Sequence, residues 1–151
     1  MFGIFNKRIN KKRLHPVLVS TLEKASLETN LDESNEAQEL IISSLKLIDL
    51  AANLLVKKDG WDIEAINQHC RPEVVAAFIC FYGYLSISPE KSKTIIILKQ
   101  GIRTALYSVG IYDGNAPIPR IEISIIIAMA KEARSRNMDI EGTLGLRLDL
   151  G

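Results

Sequence analysis

One uncharged stretch constrains the fold of this chain more than any other feature. From Val74 to Ser88 the sequence runs for 15 positions without a charged residue, and its apolar residues fall on every side of a helical wheel. A helix that is apolar all round is normally buried against neighbours on several faces. Pro72 suits a first helical position, and Glu73 suits the positive end of the helix dipole. The stretch is therefore predicted to be the central helix of an all-α bundle, spanning about 72–88.

The length and composition of the chain fit one soluble domain. With 151 residues, roughly 70% of the unfolded surface can be buried without help from disulfides or metals. The uncharged stretch is shorter than the ~20 residues that span a bilayer, and no apolar segment of a secretory signal follows the basic start. The chain has two cysteines. These features favour a reducing cytoplasm, with the inner face of the membrane as the alternative location.

Apolar spacing predicts a single-domain bundle of five to six helices. The first helix opens at His15 and Pro16, Ser88-Pro89-Glu90 is a start signal for the helix after the central one, and Gly110 ends that helix. The last helix, 120–136, is expected to bury Ile123, Ile126, Ile127 and Ala130. The other predicted helices are 15–30, 36–57, 62–69 and 89–109. The predicted segments are a basic amphipathic arm (1–14), a helical bundle domain (15–137) and an extended tail (138–151).

The N-terminal arm concentrates the positive charge of the chain. Residues 1–13 hold five cations and no acid, so the rest of the chain carries −4 within a net charge of +1. Such an arm is a solvated terminus, a membrane-surface anchor or a phosphate-binding arm for nucleic acid. Its apolar residues favour a membrane over nucleic acid, which the negative body also disfavours. The candidate membrane or partner contacts are Phe2, Ile4, Phe5, Lys7, Arg8, Lys11, Lys12 and Arg13.

Two further segments are candidate surfaces for a partner. The acidic run from Glu28 to Glu39 is either a solvated helix entrance or a patch for a basic partner. In the tail, leucines alternate with other residues, which is strand spacing. The tail either covers the protein's own core or adds as a strand to a partner or a second copy. The candidate contacts are Glu28, Asp32, Glu33, Glu36, Glu39, Leu144, Leu146, Leu148 and Leu150.

The sequence contains no motif for catalysis, a metal or a cofactor. CxxC, HExxH, ExxH and GxSxG spacings are missing, and so is a glycine-rich phosphate loop. Cys70 lies at a helix entrance, where the dipole favours a thiolate, although a structural cysteine is the simpler interpretation. Of the two thiols, Cys70 is expected to be more reactive than Cys80, which lies within the apolar helix.

These observations favour a non-catalytic cytoplasmic protein that works by binding another protein. A small regulator, an inhibitor or an immunity-type protein fits this description. The alternatives are a peripheral membrane protein recruited by the arm, and an apolar-ligand-binding bundle with a pocket beside Phe78, Tyr82 and Tyr84. A protein partner is expected, a membrane surface and a homo-oligomer stay open, and a nucleic acid is disfavoured.

Overall fold

A computed structural model of the chain describes residues 10–29, 62–86, 92–110 and 118–136, with the single positions 39, 43, 46 and 90. Five helices are delimited in this part of the chain: α1 Lys11–Glu28, α2 Ile63–His69, α3 Pro72–Ser86, α4 Ser92–Ser108 and α5 Arg120–Ser135. The predicted all-α bundle is confirmed. None of these five helices combines the length and the apolar character needed to cross a membrane.

α3 is the central helix, as its lack of charge predicts. It packs most extensively against α4 and also contacts α1 and α5. Its buried residues fall on several sides of the helix, which explains why no position between 74 and 85 carries a charge. They are Val74, Val75, Ala76, Ala77, Ile79, Cys80, Phe81 and Gly83.

A glycine allows α3 and α4 to approach closely. A Cβ atom built on Gly101 would lie 2.9 Å from the Sγ atom of Cys80 and 3.8 Å from a methyl carbon of Leu22 in α1. The first separation is shorter than packed atoms tolerate, so the missing side chain makes room for the sulfur. Gly within a helix costs about 1 kcal/mol relative to Ala, which the close packing of three helices offsets here.

The first helix begins four residues earlier than predicted. α1 starts at Lys11 and is capped by Asn10, whose Oδ1 atom accepts the backbone N–H of Arg13 at 3.3 Å. The backbone N–H of Asn10 in turn donates to Oδ1 of Asn67 at 2.9 Å. Pro16 lies inside the helix near its N-terminal end and has no backbone N–H to donate to the carbonyl of Lys12. Lys12 is exposed in the first turn, so water can reach this carbonyl. The last three cations of the predicted arm therefore belong to a capped helix.

Other predicted helix boundaries differ by a few residues or are confirmed. Asp62 caps α2 as expected, because its side chain accepts the N–H of Glu64 at 3.0 Å. Glu90 lies in a turn and α4 begins at Ser92, so the start signal lies just ahead of the helix. Gly110 ends α4 with a positive φ of 73°, a conformation that glycine adopts without steric cost.

Three single positions bear on the predicted helix at 36–57. Glu39, Ser43 and Lys46 are helical and exposed, and their i, i+4, i+7 spacing places them on one helix face. The other residues of that range lie outside the described part of the chain.

The buried face of α5 is rotated from the predicted one. Ile126 and Ala130 are buried as expected, but Ile123 is 41% exposed and Ile127 is half-buried. The face that turns inward also contains a charged residue, which apolar spacing does not detect. Its members are Glu122, Ile125, Ile126, Met129, Ala130 and Ala133.

Candidate functional site

A groove of about 390 Å³ lies between α3 and the C-terminal half of α5. Its apolar floor combines core residues with residues that reach the surface. Phe81 and Met129 are 2% and 1% exposed, whereas Phe78, Tyr82 and Leu85 are half-buried. The groove is therefore a place where the hydrophobic core continues to the surface. Its volume falls within the range of about 300–1,000 Å³ that is typical of binding sites.

Both walls of the groove are helical stripes. On α3 the lining positions are 78, 81, 82, 85 and 86. On α5 and its C-cap, besides Met129, they are 128, 131, 132, 135 and 136. Each set has the i, i+3, i+4, i+7, i+8 spacing of a single helix face. With a rise of ~1.5 Å per residue, each stripe is about 12 Å long, or two turns.

The rim of the groove is polar and carries an excess of positive charge. Lys131 and Arg136 are exposed, and Glu132 is half-buried. Arg136 and Glu132 form an ion pair with an Nε–Oε1 distance of 3.1 Å, so among the described lining residues Lys131 supplies the net charge. The Ser86 hydroxyl donates to the carbonyl of Tyr82 at 2.9 Å, so this end of the rim is also polar.

A buried ion pair holds the other end of α5. The Glu122 carboxylate is 0% exposed and accepts Nη2 of Arg71 at 2.7 Å, Nε at 3.0 Å and the backbone N–H of Arg71 at 2.7 Å. Nη1 of Arg71 donates to the carbonyl of Val109 at 3.0 Å. Glu122 is the third residue of α5, where the helix dipole also favours a negative charge. Arg71 thus joins the α2–α3 connection to the end of α4 and the first turn of α5.

The two cysteines are structural. Burial, followed by the negative charge of Glu122, raises the pKa of the Cys70 thiol to about 12. Burial alone raises the pKa of Cys80 to about 12, and the two residues are 2% and 1% exposed. Both thiols are therefore protonated at neutral pH. Burial agrees with the simpler interpretation of Cys70 as a structural cysteine. The expectation that Cys70 is more reactive than Cys80 is not supported, because desolvation raises the pKa of both thiols to a similar value.

A second cleft, of about 450 Å³, lies between α1 and α4 and is mainly polar. Glu28 accepts hydrogen bonds there from Nε2 of Gln100 at 2.5 Å and from Oγ1 of Thr104 at 3.2 Å. Lys24 and Arg103 are exposed cations of the same cleft. The described lining of this cleft thus contains charges of both signs and polar groups that bond to one another. It differs in this from the apolar floor of the groove.

The predicted ligand pocket agrees with the groove in two of its three aromatic residues. Phe78 and Tyr82 line the groove, whereas Tyr84 lies under Lys99 of α4, whose Nζ atom is 5.5 Å from the ring centroid. Residues two apart on a helix point in nearly opposite directions, since each residue turns the helix by ~100°. The α5 wall, including Met129, was not among the predicted site residues.

The predicted contact residues within the described part of the chain do not converge on one site. Lys11, Lys12 and Arg13 lie in the first turn of α1, where Nη1 of Arg13 donates to the carbonyl of Asn67 at 2.6 Å. Glu28 bridges α1 and α4, and Glu39 is exposed. The others lie outside the described residues: Phe2, Ile4, Phe5, Lys7, Arg8, Asp32, Glu33, Glu36, Leu144, Leu146, Leu148 and Leu150.

The described residues contain no group of three or more His, Cys, Asp or Glu side chains that could hold a metal ion. Compared with known protein families, curated proteins and solved structures, the chain shows no significant match.

Proposed function

We propose that this protein is a non-catalytic cytoplasmic module that binds another protein through the groove between α3 and α5. The observation that supports this proposal is the combination of an apolar floor with a polar, charged rim. Protein interfaces share this pattern: a desolvated centre rich in aromatic residues and a polar edge. Phe78 and Tyr82 are half-buried aromatic residues on the floor, and such side chains often supply much of the binding energy.

A regulator, an inhibitor or an immunity-type protein would work in this way. Such a protein needs one firm surface that covers part of its target, and no reacting groups of its own. The groove is supported from below by Phe81 and Met129, which belong to the packed core. A preformed floor of this kind lowers the conformational cost of binding.

Site-specific photo-crosslinking in the source cell tests the proposal. A photoreactive phenylalanine analogue is placed at Ser135 on the exposed rim, or at Glu64, which is exposed on α2 and does not line the groove. We expect a discrete protein adduct from position 135 and none from position 64. The adduct should disappear in the Tyr82→Ala chain, which lacks the aromatic ring of Tyr82 on the groove floor. Equal adducts at both positions, or an adduct that persists in the Tyr82→Ala chain, would contradict binding through the groove.

A second candidate function is supported by the size of the groove. A volume of about 390 Å³ is also sufficient for a small apolar ligand. Native mass spectrometry of the protein purified from the source cell separates the two functions. A bound small molecule that is lost in the Tyr82→Ala chain would favour a ligand carrier, whereas a ligand-free mass would favour the protein-binding module.

A further inference from the structure

We infer that the groove between α3 and α5 receives an amphipathic helix of the partner protein, with an acidic edge that faces Lys131. This inference rests on the proposed function and adds to it the conformation and charge of the partner segment. Three features of the described residues carry it: the backbone chemistry of the walls, the spacing of the floor and the charge of the rim.

The backbone chemistry of the walls favours a helix over a strand. An extended peptide gains affinity by pairing its main-chain groups with an exposed sheet edge. Both walls of this groove are helices, whose N–H and C=O groups are already bonded within each helix. A bound helix satisfies its own backbone and needs side-chain contacts only.

The floor presents anchoring points at helical spacing. Phe78, Phe81, Tyr82 and Leu85 follow one face of α3 over two turns, and Met129 faces them from α5. A third helix laid along two such stripes places its own i, i+3 or i+4, and i+7 side chains between them. The partner segment should therefore carry apolar residues at that spacing over at least two turns.

The positive charge of Lys131 on the rim favours acidic residues beside the apolar stripe of the bound helix. Lys131 is exposed on α5 and supplies the net charge of those lining residues that the structure describes, because Arg136 is paired with Glu132. An Asp or Glu beside the apolar stripe of the partner complements Lys131, whereas a Lys or Arg there is repelled. Charges at an interface rim act mainly on specificity and association rate, so this site should discriminate between acidic and basic helices.

A display selection on the full chain tests the inference. The library holds helices of about four turns, with apolar residues fixed at i, i+4, i+7 and i+11 and with the flanking positions randomised among Glu, Lys and Gln. A second library carries the same apolar residues in alternation, as in an extended strand. We expect enrichment from the helical library alone, with Glu at the positions that flank the apolar stripe.

Charge reversal supplies the matched control. Lys131→Glu should weaken the enriched acidic peptides by about tenfold, as measured by fluorescence anisotropy, and should shift a repeated selection towards Lys. Lys46→Glu changes the net charge by the same amount at an exposed helical position that does not line the groove and should leave the affinity unchanged. Circular dichroism confirms that both variants keep the helical content of the parent.

Several results would overturn the inference. Enrichment of basic helices, of extended peptides or of nothing would do so, as would equal losses of affinity for Lys131→Glu and Lys46→Glu. Concentration-dependent dimers that Tyr82→Ala dissociates would identify a second copy as the occupant. Stronger peptide binding by a full chain carrying Leu146→Glu and Leu148→Glu would identify the protein's own tail. If groove crosslinks form in the source cell but the selection fails, the proposed function survives and only the acidic-helix inference falls.

Discussion

The Arg71 guanidinium and the Glu122 carboxylate meet as two parallel hydrogen bonds, with Nη2–Oε1 and Nε–Oε2 distances of 2.7 Å and 3.0 Å. The two residues are 51 positions apart, and only the carboxylate is fully buried. The backbone N–H of Arg71 adds a third donor to the same carboxylate. Glu122 is therefore a buried negative charge that is stabilised by hydrogen bonds from Arg71 and by the N-terminus of its own helix.

Removing the guanidinium should leave that charge without its main partner. We expect Arg71→Ala to lower the free energy of unfolding by about 3 kcal/mol, the lower end for a broken buried pair, since Arg71 is 36% exposed. The double variant Arg71→Met with Glu122→Leu should lose less than the single variant, because it removes both charges. Urea unfolding followed by circular dichroism measures both values, and a double variant that loses more stability than Arg71→Ala would show that the buried carboxylate does not depend on the guanidinium.

The contact between Cys80 and Gly101 predicts a size-dependent coupling. Gly101→Ala should destabilise the fold by about 1–3 kcal/mol because its Cβ atom overpacks the sulfur, despite the better helix propensity of Ala. Replacing Cys80 by Ala in the same chain removes the clash and should recover most of that loss. A double-mutant cycle measures the coupling. A Gly101→Ala chain as stable as the parent would show that α3 and α4 can move apart at no cost.

The two phenylalanines of α3 should differ in their contribution to stability. Phe81 is 2% exposed, so Phe81→Ala should cost about 3–5 kcal/mol. Phe78 is half-buried and lines the groove, so Phe78→Ala should cost less and act mainly on binding. Chemical unfolding of the two variants, together with the crosslinking assay at Ser135, compares the effects. A larger loss of stability for Phe78→Ala than for Phe81→Ala would contradict the assignment of Phe81, and not Phe78, to the core.

Neither cysteine should react with iodoacetamide in the native protein at neutral pH. Both pKa values are raised to about 12, so the thiolate that attacks the reagent is scarce below that pH and increases as the pH approaches it. Burial of both side chains also blocks access. Mass spectrometry after labelling should show two modified cysteines in urea and none in buffer. Rapid labelling of Cys70 alone would show that the α2–α3 connection opens in solution.

The central helix and several helix ends could be predicted because each depends on residues that are close together in the sequence. The missing charges of 74–88 predict a helix with buried neighbours, and α3 is that helix. The cap at Asp62 and the helix end at Gly110 also follow from single residues with specific backbone roles. Local rules of this kind need no knowledge of which helices are in contact.

The groove and the Arg71–Glu122 ion pair could not be predicted in this way, because each joins residues that are far apart in the sequence. Apolar spacing could not assign Glu122 to the buried face of α5, since a carboxylate is buried only when a partner such as Arg71 meets it. That assignment shifts the inward face, so that Ile123 is exposed and Met129 reaches the floor of the groove. The shared i, i+3, i+4, i+7 spacing of 78–85 and 128–135 was present in the sequence, but the pairing of these two stripes depends on tertiary packing.

The Arg71–Glu122 ion pair lies at one end of α5, so a rotation of the helix about this contact would displace its opposite end most. Arg71 holds Glu122 at the N-terminal end of α5, while Ser135 and Arg136 lie at the opposite end beside the groove, where Ala133 still packs into the core. Ser135 lies 13 positions beyond Glu122, a distance of about 20 Å along the helix, so a tilt of about 10° at Glu122 would move the far end by roughly 3 Å. We expect Arg71→Ala to broaden the distribution of distances between spin labels at Ser86 and Ser135, because loss of the anchor would allow α5 to rotate against α3.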